Sequence, residues 1–386
     1  MKNDIIFSLM KTSSSVRSIS PELSAKLTVV SFISACFVVI LHAYEKSLAV
    51  GTGPTAWIVT FVGWTLPTFA VPIFFVISGF LLGVKSGNGT KDGWYAQALR
   101  KRVRTLLVPY LIWCTIYALT VVPFTMFGNH LAGRSLVHNT HLHEPVLSWW
   151  NLFCIYGADM SGFPANGVLW YVRNLLILVL IAPPLIKFLA NKWLGFLLLL
   201  IFGTTFFLHD WMPRSYWQFF ETGFSLRGFF YFLLGLFLAA HPIDNAIPRQ
   251  LRSLVPFAWL VVGLFFTYLR LYSGGDSLTA QRLLAKTANL LGVGAIWILY
   301  DLIPSARRLA KFSVTHDSFF LYAAHLGIIF TVLCAKSQDI LSSRLHIPSL
   351  GIFIIRFAVP ILLSLTIAEL LKRYCPRVYA LLTGGR

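Results

Sequence analysis

Apolar runs of about twenty residues recur along nearly the whole chain, and they leave few folds open. A bilayer offers the backbone no water, so a run of that length must satisfy its own hydrogen bonds as a helix. A transmembrane barrel would need ten-residue segments of alternating polarity, and these runs do not alternate. With 57% hydrophobic and 12% charged residues, an ordinary soluble globule is excluded. Candidate spans at 27–47, 60–83, 104–127, 167–188, 193–209, 224–241, 254–272, 284–303, 316–335 and 348–371 predict an all-α, polytopic membrane helix bundle of about ten transmembrane helices. Pro67 and Pro72 in the second span and Pro183 and Pro184 in the fourth predict kinks. Residues 1–26 and 373–386 read as tails around a transmembrane domain over 27–372. The length of chain ahead of the first run favours an uncleaved span over a signal peptide.

A formal charge of +18 would invite nucleic acid in a soluble protein, but here it reads as topology. In the ten-span arrangement 21 Lys and Arg fall in the two tails, the 84–104 loop and the loops near 190, 250 and 308. The opposite set has seven: Lys46, Arg134, Arg214, Arg270, Arg282, Lys336 and Arg344. Basic residues accumulate on the cytoplasmic side, so both termini of a multi-pass protein are expected there. Segment 128–166, with His130, His138, His141, His143, Glu144 and Asp159, becomes the longest extracytoplasmic stretch, expected as a partly ordered lid. Its histidines are too loosely spaced to predict a metal site, and the five scattered cysteines have no ligand spacing.

Polar groups in hydrocarbon cost a few kcal/mol, so those inside the spans mark a cavity or a partner. His42 sits in VVILHAYEKS, with Glu45 three residues on, so on a helix both side chains fall on one face and the carboxylate is expected to orient or charge the imidazole as its catalytic partner. An imidazole in a cleft of low dielectric acts as general base towards a hydroxyl, the main need in moving an acyl group to an alcohol. An interfacial hydrogen bond is the plainer reading. Ser78 interrupts VPIFFVISGFLLG, either as a ligand contact or as a small residue that permits close packing. Arg100, Lys101, Arg102 and Arg104 crowd the mouth of the third span, either as a topogenic signal or as a clamp for the phosphates of coenzyme A. Arg173, Arg227, Lys286 and Arg356 fall at a depth comparable to His42, which predicts an outer cationic pocket for the acceptor. Trp170 and Tyr171, beside Arg173 in LWYVRNLL, are assigned to the same pocket. His325 in SFFLYAAHLG, beside Tyr322, reads as a helix–helix hydrogen bond.

Together, VVILHA, VPIFFVISGFLLG, KRVRTLLVPYLIW, LWYVRNLL, FFYFLLG and SFFLYAAHLG, in that order and spacing, resemble the bacterial type 3 acyltransferases. These are multi-span proteins that O-acylate extracytoplasmic glycans. The resemblance implies an acyl-CoA donor approached from the cytoplasm, with acetyl-CoA expected, and a glycan or lipid-linked sugar as acceptor. No tightly bound cofactor is expected. His42 becomes the essential first-span histidine, and the family's basic pair falls on Lys101 and Arg104 or on Arg100 and Arg102. Many members carry an arginine eleven residues before the histidine, where this chain has Ser31. Many also append an esterase-like domain, so this chain is expected to act alone or with a separate partner. A transporter or flippase for a lipid-linked or anionic sugar is the competing reading.

Overall fold

The computed structural model describes residues 19–385 apart from 139, 141, 158–163, 212–224, 242–247, 249–250, 274–277, 328–329 and 331–339. Among the described residues every regular element is helical. Six helices are long and apolar enough to cross a membrane: α1 (Pro21–Ala43), α2 (Pro54–Ser86), α3 (Trp94–Leu131), α9 (Leu254–Tyr272), α10 (Leu278–Leu302) and α12 (Ser349–Tyr374). A short α4 (Trp149–Tyr156) follows α3. Next, α5 (Trp170–Leu180) and α6 (Ala182–Ala190) make a seventh candidate, bent by 67° just ahead of Pro183 and Pro184. The expected ten is therefore not reached on length alone. Helices α7 (Lys192–Leu208) and α8 (Leu226–Ala240) are shorter, and of the expected ninth span the structure describes α11 (Ser318–Ala324).

Local sequence accounts for these breaks. Helix α1 starts where Ser20 Oγ accepts from the Leu23 amide at 3.1 Å and Pro21 supplies a ring-fixed φ at the first position. Within α2, a wide turn over 61–65 and a tight one over 66–69 precede Ala70, where Pro67 and Pro72 withhold amide donors.

Helix α1 is central. Val29, Val30, Ala35 and Val39 are fully buried, and the helix touches α2, α10, α11 and α12. The closest seam joins α2 and α8. A Cβ on Gly79 would strike the Phe232 carbonyl, and one on Gly235 would strike that of Val76. Gly228 faces Phe75 and Gly83 faces Ala239, so the pairing advances in the same direction on both helices and they run parallel. Parallel neighbours require an odd number of crossings between them, and α3, the α5–α6 pair and α7 supply three candidates. By contrast, α9 and α10 run antiparallel, with Gly294 against Val255 and Gln281 Nε2 donating to the Leu269 carbonyl.

The segment expected as a lid folds down along α3 in its described part. Cys154 is fully buried, and Tyr110 Oη donates to the Tyr156 carbonyl at 2.7 Å. Asn151 ties the preceding turn, accepting from the His143 amide at 2.8 Å and donating to the His143 carbonyl at 2.6 Å. His141 and Asp159 lie outside the described residues. Part of the expected C-terminal tail is a helix, α13 (Pro376–Thr383), held to α3 by Trp113 Nε1 donating to the Leu382 carbonyl at 3.0 Å.

Candidate active site

Some of the polar residues of the sequence reading, Ser78, Tyr171, His325 and His42 among them, lie along one line between α1, α2, α5 and α11, with the basic start of α3 near one end. At its lower end the backbone of α3 widens over 103–107. There Arg100, Lys101 and Arg104 stay exposed, while Arg102 is half-buried. Tyr171 Oη lies 2.9 Å from Ser78 Oγ and 3.3 Å from the Phe74 carbonyl. Ser78 and Tyr171, taken from two different spans, therefore meet. The Tyr171 ring stands edge-on to that of Tyr322, with centroids 5.8 Å apart, and Phe74 packs against both. Tyr322 in turn donates to the Val168 carbonyl.

One turn beyond Tyr322, His325 reaches α1, where its ring centroid lies 5.2 Å from that of His42. His325 Nδ1 sits 2.8 Å from the Tyr322 carbonyl. A carbonyl only accepts, so Nδ1 carries the hydrogen and the neutral ring presents a lone pair at Nε2. That nitrogen is buried and has no hydrogen-bond partner among the described residues. An orphaned buried acceptor costs about 1–3 kcal/mol, which calls for a function to retain it. His42 itself is exposed.

Glu45 does not share a helix face with His42. Helix α1 ends at Ala43, Tyr44 and Glu45 take extended backbone, and the Glu45 carboxylate pairs with Arg356 at 3.6 Å. The charge that the spacing assigned to the imidazole instead meets a guanidinium that is 3% exposed.

The four cations expected in one outer pocket engage four different surroundings. Arg173 donates to the Gly157 carbonyl at 2.8 Å. Arg227 lies over the Trp170 ring, 5.5 Å from its centroid. Lys286 is held by the Asp210 carboxylate and by the Phe207 carbonyl at 3.1 Å. Arg356 alone joins the end of α1. A charge in a medium of low polarity finds the nearest compensating group, and similar depth did not bring these four together. Among the described residues no cluster of His, Cys, Asp and Glu suits a metal ion.

His325 is the residue whose part the sequence understated. Its burial was readable from its place in an apolar run, but its partner on α1, more than 280 positions away, carries no local signal.

A helical, apolar chain with at least six helices able to cross a membrane and a histidine pair between two of its helices is a polytopic membrane protein. The chain belongs to the type 3 acyltransferase family, whose acyltransferase domain matches residues 25–369. It is therefore a membrane acyltransferase. It is similar to the succinoglycan biosynthesis protein ExoH of Rhizobium meliloti (strain 1021), with 21% identity over 338 residues, 86% of this chain and 84% of the relative. No solved structure matches it.

Proposed function

We propose that this protein is an O-acetyltransferase of a bacterial inner membrane, moving an acetyl group from cytoplasmic acetyl-CoA to a sugar hydroxyl of a surface polysaccharide or its lipid-linked precursor. The carrying observation is the run of contacts from Ser78 and Tyr171 through Tyr322 to His325 and His42. A relative named for succinoglycan biosynthesis supports a glycan acceptor. In this reading the chain crosses the membrane ten times with both termini cytoplasmic, which the parallel pairing of α2 and α8 and the basic residues at one end support.

Arg100, Lys101 and Arg104 meet the donor's phosphates, and Arg102 draws the thioester arm inward. Beside Tyr171 and Ser78 the thioester is shielded from water, and its carbonyl lies within reach of hydroxyl donors. His42 takes the proton of the acceptor hydroxyl as its oxygen attacks the acetyl carbon. The carbon–sulfur bond then breaks, and the departing thiolate receives that proton. Attack by the imidazole itself, with an acetyl-histidine passed on to the sugar, uses the same residues. His325 Nε2 accepts the N–H of His42 and so fixes which nitrogen faces the acceptor. Trp170 with Arg227 over its ring offers a flat face for a sugar. Lys286, held by Asp210, secures the α7–α10 side.

The test follows labelled acetyl from acetyl-CoA into base-labile esters of surface polysaccharide in membranes carrying the wild type, His42→Ala or Arg102→Ala. Wild-type membranes label the glycan, His42→Ala falls by at least about a hundredfold, and Arg102→Ala raises the acetyl-CoA requirement. Wild-type membranes that label nothing while lipid-linked sugar crosses the bilayer faster would replace the transferase with a transporter.

A further inference from the structure

A cavity of about 1070 Å³ opens at the end of the bundle that holds Lys26 and Arg252, and it is separate from the His42 line. Its walls are apolar: Leu27 of α1, Ile77 and Phe80 of α2, Leu238 of α8, and Leu290 and Trp297 of α10. Its rim is charged. Lys26, only 8% exposed, pairs with Asp301 at 2.6 Å and lies over the Trp297 ring at 4.1 Å. Arg252 and Arg307 stand close enough to act on the Lys26 charge, and with Glu22 beside them the rim is left net positive.

Two helices wall this cavity off from the transfer site. Sixteen residues at about 100° each put Lys26 and His42 roughly 160° apart around α1. On α2, Ile73, Val76, Ile77 and Phe80 line the cavity, while Ser78 and Phe74 face Tyr171. The cavity's lining includes neither histidine, nor Ser78, nor Tyr171, and its own walls suit an amphiphile with an apolar body and an anionic head.

We infer that this cavity binds an anionic membrane phospholipid, its acyl chains between α1, α2, α8 and α10 and its phosphate at Lys26, Arg252 and Arg307. A basic pocket between transmembrane helices at the membrane surface matches the chemistry of such a headgroup, and long apolar walls match the chains. The inference does not depend on the acceptor or donor proposed above.

Purified full-length protein is titrated with dioleoyl phosphatidylglycerol, with dioleoyl phosphatidylcholine and with glycerol 3-phosphate, following lipid retention by native mass spectrometry and the midpoint of thermal unfolding. Phosphatidylglycerol is expected to saturate and raise the midpoint, with the other two far weaker. Arg252→Gln and Arg307→Gln each weaken it about fivefold. Leu290→Trp fills the cavity and weakens it with the charges intact. Equal binding of phosphatidylcholine, or no change in all three variants, would overturn the lipid site. An equal effect of glycerol 3-phosphate would reduce it to a phosphate site, and displacement of the lipid by acetyl-CoA would make it the donor's. Acetyl transfer by these variants is measured separately, so a failed lipid site leaves the transferase reading standing.

Discussion

In the proposed reading His325, held by the Tyr322 carbonyl with its ring centroid 5.2 Å from that of His42, positions the His42 ring. Truncation frees the His42 ring to rotate, and a misplacement of about 1 Å costs roughly a hundredfold in rate. His325→Ala is accordingly expected to lower kcat about a hundredfold with KM for acetyl-CoA little changed. In His325→Gln the side-chain oxygen accepts as Nε2 does, and much of the rate returns. Steady-state kinetics on the two variants separates this from a packing role, in which Gln and Ala would fail alike. At this scale the sequence was half legible. His42 stood out because a histidine in an apolar run is expensive, whereas Glu45 misled because nothing local announced that α1 stops two residues before it. Asp210, Asp301 and Asp317 escaped notice, since each gains its meaning from a lysine far along the chain.

Elements associate here without a hydrophobic driving force, so close packing carries the contact. The α2–α8 seam depends on bare backbone at Gly79 and Gly235. Gly79→Leu is expected to cost at least about 1–3 kcal/mol and to lower the unfolding midpoint in detergent, while the same change at exposed Gly53, which has open space around its Cβ position, has little effect. The second joint is the base of α11. Asp317 is fully buried, accepts from the Tyr379 hydroxyl, and pairs with Lys372 at 2.7 Å. Burial, with Asp317 beside it, raises the Tyr379 phenol above its ordinary value and keeps it a donor. Lys372→Met strands that carboxylate, at a cost of about 3 kcal/mol read from denaturation of the purified protein. Asp317→Asn in the same background recovers part of the loss. Long spans were readable because twenty apolar residues admit one solution. The α5–α6 bend was readable as a kink from Pro183 and Pro184, but not its size of 67°, because a broken helix keeps the hydropathy of a whole one.

For the whole molecule, the proposed reading puts donor and acceptor at opposite ends. The start of α1, the ends of α10 and α12, and the Arg100–Arg104 cluster belong to one end, since Lys26 pairs with Asp301, Lys372 pairs with Asp317, and Gly384 packs on Thr105. With the native cysteines removed, Ser20→Cys is therefore expected to label with a membrane-impermeant thiol reagent only in inside-out vesicles, and Arg134→Cys only in right-side-out ones. Charge asymmetry made this division readable from the sequence, whereas the line between the ends needed the fold, because its residues come from four helices. Reconstituted vesicles test that line most directly, with labelled acetyl-CoA confined to the face bearing Arg102 and a glycan acceptor confined to the other. The account predicts labelled acceptor with the wild type and none with His42→Ala. Acceptor labelled only when it shares a compartment with the donor, or equal labelling by His42→Ala, would contradict it.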